Sequence, residues 1–137
     1  MNDIKIIHLI HANVPAGVET GAKLAQQEFK NNINYEIRFI YNAGDNIIVK
    51  FIKFLKATKL LFKEIKGKEN HIILSSLWMS HIISFILKIL LKNMTWISFI
   101  HNSNYTNIIS YLICTKLTHL ADKQVFDSYS TAKAYNS

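Results

Sequence analysis

The sequence predicts a single α/β domain in which helices cover both faces of a parallel, doubly wound sheet. Short runs rich in Ile, Phe and Tyr alternate with longer amphipathic runs along the whole chain of 137 residues. This alternation is typical of a parallel sheet, because each strand is joined to the next by a helix that packs on the sheet. A chain of this length is expected to form one domain.

The first three elements follow from local patterns. An Ile-rich run over residues 4–10 leads into a turn that contains Pro15 and Gly17, which predicts a buried first strand. Residues 19–29 are rich in helix formers and are followed by two asparagines, so a helix is expected there. Residues 35–41 alternate in polarity and are rich in Ile, Phe and Tyr, which predicts the second strand.

The second helix is predicted over residues 46–66 and is strongly amphipathic. Its apolar residues fall within an arc of about 120° and are Ile47, Phe51, Phe54, Leu55, Leu61, Phe62 and Ile65. Lysines occupy the remainder, at Lys50, Lys53, Lys56, Lys59, Lys63 and Lys66. We expect the apolar side to pack on the sheet, where it would be unable to insert into lipid.

The same alternation continues to the end of the chain. The predicted elements are a strand over 71–77, a largely buried helix over 78–92, a strand over 95–101, a helix over 105–120, a short strand over 123–127 and a helix from Ser128 onward. Ligands of such sheets bind beyond the carboxyl ends of the strands. With the first strand central, we expect Gly17 and His101 to face one cleft there.

Composition narrows the class of protein. The formal net charge of +7 and the pI near 9.5 predict attraction to a polyanion, which could be an anionic membrane, a phosphorylated substrate or nucleic acid. Nucleic acid is disfavoured and not expected as a partner, because no RNP-like, helix-turn-helix or zinc-finger pattern accompanies the charge.

Cysteine usage and hydropathy exclude other classes. The single cysteine, Cys114, excludes an internal disulfide, fits a reducing cytosol and is expected to be a small core residue. No basic segment precedes the first strand, so no cleaved signal peptide is expected. The apolar run 82–100 is interrupted by Lys88, Lys92 and Asn93, so no transmembrane helix is predicted.

The histidines do not form a metal-binding pattern. His8 and His11 lie three residues apart on a strand, so they face opposite ways and could share a zinc ion only with distortion. His71, His81 and His119 are expected to be structural or surface residues. We therefore expect no metal site.

Four segments in order carry a resemblance to a known family. They are HANVPAGVET at 11–20, IILSSLWMS at 72–80, WISFIHN at 96–102 and ADKQVFDSYS at 121–130. They resemble, respectively, the Gly-Gly-x-Glu loop, the third-strand segment, the strand that ends in His, and the A-D-x-x-x-x-x-S stretch of family 4 glycosyltransferases. The chain is thus similar to the N-terminal, acceptor-side domain of a GT-B enzyme of that family.

The resemblance implies which residues form the site. Gly17, and Ala16 in place of the family's first glycine, would lie against the phosphate and sugar of the donor, although the Cβ of Ala16 narrows that space. His101 would lie beside the transferred sugar as the catalytic candidate. From the residues alone, two other interpretations stay open: an ordinary turn with Glu19 near the helix dipole, and a His101 that hydrogen-bonds loop backbone.

The basic helix also has two interpretations. Its lysines either form a solvated face or contact anionic lipid, each such lysine contributing about 1 kcal/mol near the surface. The lysines expected to contact a membrane are Lys50, Lys53, Lys56 and Lys59. Family 4 relatives often act on lipid-linked acceptors, so the resemblance favours the second interpretation.

The implied activity is transfer of a sugar from a nucleotide-diphosphate sugar to a glycan or lipid-linked acceptor during synthesis of cell-surface polysaccharide. The enzyme would be a retaining hexosyltransferase or similar, would need no metal or other cofactor, and would work in the cytoplasm or at the inner face of the membrane. The expected partners are the donor, the acceptor, an anionic membrane surface and a C-terminal half supplied separately.

The donor-binding part of such an enzyme is not found in residues 1–137. The family's basic pair and Glu-x7-Glu signature belong to the C-terminal domain, and neither occurs here. We therefore expect a fragment, a frame-shifted product or one half of a split enzyme, inactive alone. The alternatives are a non-catalytic basic module that docks on an anionic membrane or an enzyme partner, and an unrelated flavodoxin-like binding domain.

Overall fold

A computed structural model describes residues 4–14, 16–101 and 107–136. Its elements are β1 (Lys5–Asn13), α1 (Gly17–Phe29), β2 (Asn34–Asn42), α2 (Ile47–Ile65), β3 (His71–Ser76), α3 (Trp78–Leu90), β4 (Thr95–Ile100), α4 (Ile108–Thr115), a short 3-10 helix (Leu117–Leu120), β5 (Lys123–Phe126) and α5 (Tyr129–Tyr135). The five strands are all parallel, in the spatial order β2-β1-β3-β4-β5. The predicted Rossmann-like, doubly wound α/β fold is therefore confirmed.

Two details differ from the expected arrangement. The middle strand is β3, and β1 lies beside it rather than at the centre. The helix predicted over 105–120 is two elements, because the chain turns at Lys116 and buries Thr118, whose hydroxyl lies 2.7 Å from the hydroxyl of Tyr135. Pro15 and residues 102–106, which include most of the predicted polar loop after His101, lie outside the described residues.

The apolar core lies between one face of the sheet and helices α2 and α3. Its most buried members are at most 2% exposed and are Ile7, Leu9, Ile73 and Trp96 from the strands and Leu61, Ile65, Ile83 and Leu87 from the helices. Helix α1 packs on the other face, where its Phe29 ring lies 5.9 Å from the ring of Tyr35. Because side chains alternate along a strand, His8 points to the α1 face while Ile7 and Leu9 point to the core.

Charged hydrogen bonds fix the C-terminal half of α2 to β1 and β2. Glu64 accepts hydrogen bonds from Arg38 at 2.6 and 3.0 Å and from Lys5 at 2.9 Å. Lys5 and Arg38 also reach Glu36, at 2.7 and 2.5 Å. The hydrogen bonds from Arg38 and then Lys5 lower the pKa of Glu64 to about 2, so its carboxylate is charged at neutral pH. Arg38, the chain's only arginine, therefore stabilises the fold by joining α2 to the sheet.

The N-terminal half of α2 contradicts the expectation that its whole apolar side packs on the sheet. Five apolar residues there are between 51% and 77% exposed, namely Ile47, Ile48, Phe51, Ile52 and Leu55. Successive residues turn by about 100° around a helix, so Ile48 and Leu55 lie about 80–140° around α2 from the buried Leu61 and Ile65. Ile47 lies on the same side as Ile65 but at the other end of the helix, and it is 77% exposed. The first turns of α2 are therefore less covered than its last turns.

A single strained residue joins the middle strand to its helix. Leu77 connects Ser76 to Trp78 with φ 74° and ψ 155°, the only positive φ at a non-glycine residue in the described part of the chain. Such backbone is nearly restricted to glycine and costs about 1–3 kcal/mol in other residues. The hydroxyl of Ser80 donates to the carbonyl oxygens of Ser76 and Leu77, which stabilises the turn.

The strain at position 77 predicts that glycine is more stabilising than alanine there, which is the reverse of the order inside a helix. Leu77→Gly should be more stable than Leu77→Ala by about 1 kcal/mol or more, because alanine keeps the strain and glycine removes it. The same pair at Leu55, inside α2, should show the usual order, with glycine less stable by up to about 1 kcal/mol. Urea unfolding of the four variants measures both differences. Equal preference for alanine at both positions would contradict the strained turn.

Candidate active site at the carboxyl ends of β1, β3 and β4

The strand order places a topological switch point between β1 and β3. From β1 the chain passes to β2 on one side, whereas β3 lies on the other side. The connections therefore diverge at the carboxyl ends of β1 and β3, and open α/β sheets bind ligands at such a switch point. The side chains at this position are the candidates for function.

The hydroxyl of Ser76, the last residue of β3, joins two histidines at this switch point. Its Oγ lies 2.7 Å from Nε2 of His8 on β1 and 3.0 Å from Nε2 of His101, which directly follows β4. The other ring nitrogen of His8, Nδ1, lies 2.5 Å from the hydroxyl of Tyr35 on β2. A continuous hydrogen-bonded chain thus runs from Tyr35 through His8 and Ser76 to His101 and spans four strands.

All the members of this chain are neutral at neutral pH. Burial, and then the nearby His101, lowers the pKa of His8 to about 4. Burial also lowers the pKa of His101, against the opposing charge of Asp127. Burial raises the pKa of Tyr35 to about 12, so the phenol keeps its proton.

Proton positions along the chain are coupled, because each hydroxyl has one hydrogen and each neutral imidazole has one N–H. If Tyr35 donates to His8, then His8 donates to Ser76, Ser76 donates to Nε2 of His101, and His101 carries its proton on Nδ1. If the order is reversed, His101 donates from Nε2 and its Nδ1 becomes an acceptor. The arrangement can therefore present either a donor or an acceptor at Nδ1 without charging a histidine.

The preceding serine ties the same strand to the core on the opposite face. Ser75 Oγ accepts the indole N–H of Trp96 at 2.8 Å and lies 2.8 Å from Nδ1 of His81 on α3. His81 is 1% exposed, and burial, followed by the nearby His101 and His11, lowers its pKa to about 3. His81 is thus an interior hydrogen-bonding residue.

The other histidines have separate surroundings. His11 stacks on Tyr41 with ring centroids 5.6 Å apart, so it shares no partner with His8. His71 is half-buried at the start of β3, and His119 is exposed beside Tyr135. Across the described residues no group of three or more His, Cys, Asp or Glu side chains could hold a metal ion.

The predicted phosphate loop lies at the same edge of the sheet. Ala16 is extended and precedes Gly17, the first residue of α1, and both are exposed. A Cβ built on Gly17 would meet no atom within 4 Å, so the backbone there is open to a ligand. Glu19, expected near the helix dipole, is 4% exposed, and its Oε2 finds no partner among the described residues.

The four lysines expected to contact a membrane are not equivalent. Lys53 forms an ion pair with Asp45 at 2.6 Å, and Lys50 lies over the ring of Tyr41, 4.9 Å from its centroid. Lys56 and Lys59 are exposed on the next turns of α2. The structure thus separates two lysines engaged within the fold from two that project into solvent.

Sequence reasoning missed Tyr35, His8 and Ser76 as members of the site. Their contacts depend on strand order and register, which place His8 of β1 diagonally across from Ser76 of β3. The available signal was the Ser75–Ser76 pair at the end of an otherwise apolar strand. Cys114, by contrast, is buried in α4 as expected, and burial raises the pKa of its thiol to about 11, which disfavours a nucleophilic role.

Comparison with known proteins supports the fold alone. No protein-family model matches the chain, and no curated protein sequence matches it. The N-terminal domain of Candida albicans trehalose-6-phosphate phosphatase is structurally similar, with a TM-score of 0.56 and 14% sequence identity. The match covers 96% of this chain and 42% of that one, so the present chain spans less than half of its structural neighbour. Within the described residues, no helix has the length and hydropathy needed to cross a bilayer.

The buried neutral histidines predict loss of stability in mild acid. Burial lowers the pKa of His8 and His11 to about 4 and that of His81 to about 3. In the unfolded chain they titrate near 6.5, so the unfolded state binds more protons below that pH. Stability present at pH 7 should fall as the pH drops towards 4, by about 1–2 kcal/mol per histidine at pH 5.

Urea unfolding at pH 7.5 and pH 5.0 tests this expectation. A His8→Gln variant should show a shallower dependence on pH whatever its absolute stability, because one of the titrating groups is gone. His119→Gln, which replaces an exposed histidine, is the matched control for the loss of one imidazole. Equal stability of the native protein at the two pH values would show that these histidines are not held neutral by the fold.

Proposed function

We propose that this domain is the acceptor-side half of a GT-B glycosyltransferase that uses a nucleotide-diphosphate sugar. The supporting observation is the neutral His101, which Ser76 and His8 hold at the carboxyl edge of the sheet beside the β1/β3 switch point. In such a transfer the bond from the sugar to the nucleotide diphosphate breaks as the sugar bonds to an acceptor hydroxyl oxygen, and a neutral imidazole can accept the proton of that hydroxyl or donate a hydrogen bond to the sugar. His101 is the proposed catalytic residue.

The start of α1 is the proposed site for the donor's phosphate and sugar. The first amides of a helix lack backbone partners and favour an anion. No side chain caps α1, and Gly17 leaves its backbone open, whereas the methyl group of Ala16 limits how closely a phosphate can approach. These groups alone give few contacts, so the family's C-terminal donor ligands would be required for tight binding and transfer.

The surface charge is consistent with work at the inner face of a membrane on a lipid-linked glycan. Of the lysines considered, Lys56 and Lys59 are the pair that projects into solvent and would contact anionic headgroups. A non-catalytic module that docks on a membrane is the second candidate, and the exposed N-terminal half of α2 favours it. The two candidates differ in whether the start of α1 binds a nucleotide sugar.

The proposal predicts weak nucleotide-sugar binding that depends on Gly17. In ¹⁵N–¹H correlation spectra, UDP-glucose, UDP-N-acetylglucosamine or GDP-mannose should shift the amides of Gly17 and Val18 and the signals of His101, with a dissociation constant of about 1–10 mM. Gly17→Ala should weaken this binding about fivefold, since its methyl group blocks the approach of the phosphate. Gly21→Ala, one turn further along α1, is the matched control, because a Cβ also meets open space there.

Four results would contradict the proposal. One is an absence of shifts at 10 mM of every nucleotide sugar, and another is equal binding by the Gly17 and Gly21 variants. Selective binding of FMN at the same edge of the sheet would instead indicate the flavodoxin-like alternative, whose strand order the sheet shares. A micromolar affinity for a UDP- or GDP-sugar would refute the requirement for a second half.

A further inference from the structure

The N-terminal half of α2 presents an apolar surface to solvent, here termed the α2 patch. It consists of Ile47, Ile48, Phe51, Ile52 and Leu55, each more than half exposed. Beside it, a groove of about 450 Å³ runs between the first turns of α2 and α3. Its floor and walls are formed by Phe51, Phe54, Trp78, Met79 and Ile82, so the exposed apolar surface continues from one helix to the next.

The exposed charges on the helix that carries the α2 patch are lysines, and the nearby Asp45 is paired with Lys53. Residues 46–63 contain five lysines and no acidic residue. The first two lysines are engaged with Tyr41 and Asp45, whereas Lys56, Lys59 and Lys63 are exposed. Lys59 lies one turn beyond Leu55 on the same side of the helix, so exposed cations border the apolar surface at its C-terminal end.

An apolar patch bordered by exposed lysines is complementary to a partner that has anionic groups at its surface and an apolar interior. An interfacial membrane helix has an apolar face that enters the boundary between headgroups and acyl chains, and lysines that stay with the headgroups. A protein partner that covered the groove would also have to supply several carboxylates to match these lysines. A bilayer that contains anionic lipid supplies both features at once.

We propose that the α2 patch inserts into the interfacial layer of an anionic membrane, with acyl chains entering the groove beside Trp78. Apolar burial drives attachment, and the lysines select anionic lipid. The α2 patch and the groove are formed by residues of α2 and α3 and include none from the start of α1, so insertion does not depend on sugar transfer. Binding by charge alone would disappear in 1 M salt, where the screening length falls to about 3 Å, whereas inserted apolar residues retain their contacts.

Co-sedimentation of the full chain with vesicles tests this assignment. Vesicles of phosphatidylcholine with 30% phosphatidylglycerol are compared with pure phosphatidylcholine, each in 0.1 M and 1 M NaCl. Insertion predicts that a substantial bound fraction on the anionic vesicles survives 1 M NaCl. Lys56→Gln with Lys59→Gln should weaken binding at 0.1 M NaCl and have little effect at 1 M.

Matched variants separate the α2 patch from exposed apolar residues in general. Ile48→Gln, Ile52→Gln and Leu55→Gln together should reduce vesicle binding at least tenfold, and their exposure means that the fold should tolerate them. The control combines Ile89→Gln, Leu90→Gln and Leu120→Gln, which are 57–59% exposed at the opposite edge of the sheet. The control variant should bind vesicles like the native chain.

Tryptophan fluorescence measures how deeply the groove enters the bilayer. Trp78 lines the groove, whereas Trp96 is fully buried in the core. Lipids brominated on the upper part of the acyl chain should therefore quench Trp78 emission on binding, and Trp78→Phe should abolish the quenching. Loss of all binding in 1 M NaCl, or binding without bromine quenching, would overturn insertion in favour of surface charge alone. Self-association that the triple α2 variant abolishes, with no vesicle binding, would instead make the patch an interface between copies.

Discussion

Two consecutive hydroxyl groups at the end of the middle strand organise both sides of the sheet. Ser75 points to the core, where it joins Trp96 and His81, and Ser76 points to the other face, where it joins His8 and His101. Larger apolar residues at these positions would leave buried ring nitrogens without partners, which typically costs about 1–3 kcal/mol for each group. The candidate site and the core are therefore built from one short segment of chain.

The strained Leu77 follows from this arrangement. A one-residue connection lets α3 start directly above β3, which brings His81 over Ser75 within a single turn. The sharp turn requires a positive φ, and the hydroxyl of Ser80 satisfies the carbonyl groups that it exposes. Backbone strain next to a buried polar network is typical of functional sites, which agrees with a role for this edge of the sheet.

The two halves of helix α2 differ in how far the rest of the fold buries them. Its C-terminal half is fixed by two fully buried aliphatic residues and by Glu64, whereas its N-terminal half keeps an apolar surface open. No rearrangement of the fold is needed to expose that surface. The C-terminal end of α2 thus stabilises the domain, and the proposed membrane contact would use only its N-terminal end.

Local pattern was sufficient to predict most of the fold and insufficient for the site. Strand and helix alternation depends on neighbouring residues, so the order of the elements and the parallel sheet could be read directly. The partnership of His8 with Ser76 depends on register between strands that are more than 60 residues apart in the chain. Helical periodicity likewise revealed the apolar arc of α2, but which of its turns are covered depends on tertiary packing, which buries Leu61 and Ile65 and leaves Ile47 exposed.

The central claim is that Ser76 couples the tautomers of His8 and His101, which burial keeps neutral. Long-range ¹H–¹⁵N NMR correlations of the histidine rings, followed from pH 7.5 to pH 5, test it most directly. His8 should remain neutral over this range, because burial lowers its pKa to about 4, and His101 should titrate below the ordinary value of about 6.5. Ser76→Ala should change the tautomer populations of both rings together. A pKa of His101 near 6.5, or tautomer populations that stay the same in Ser76→Ala, would contradict the account.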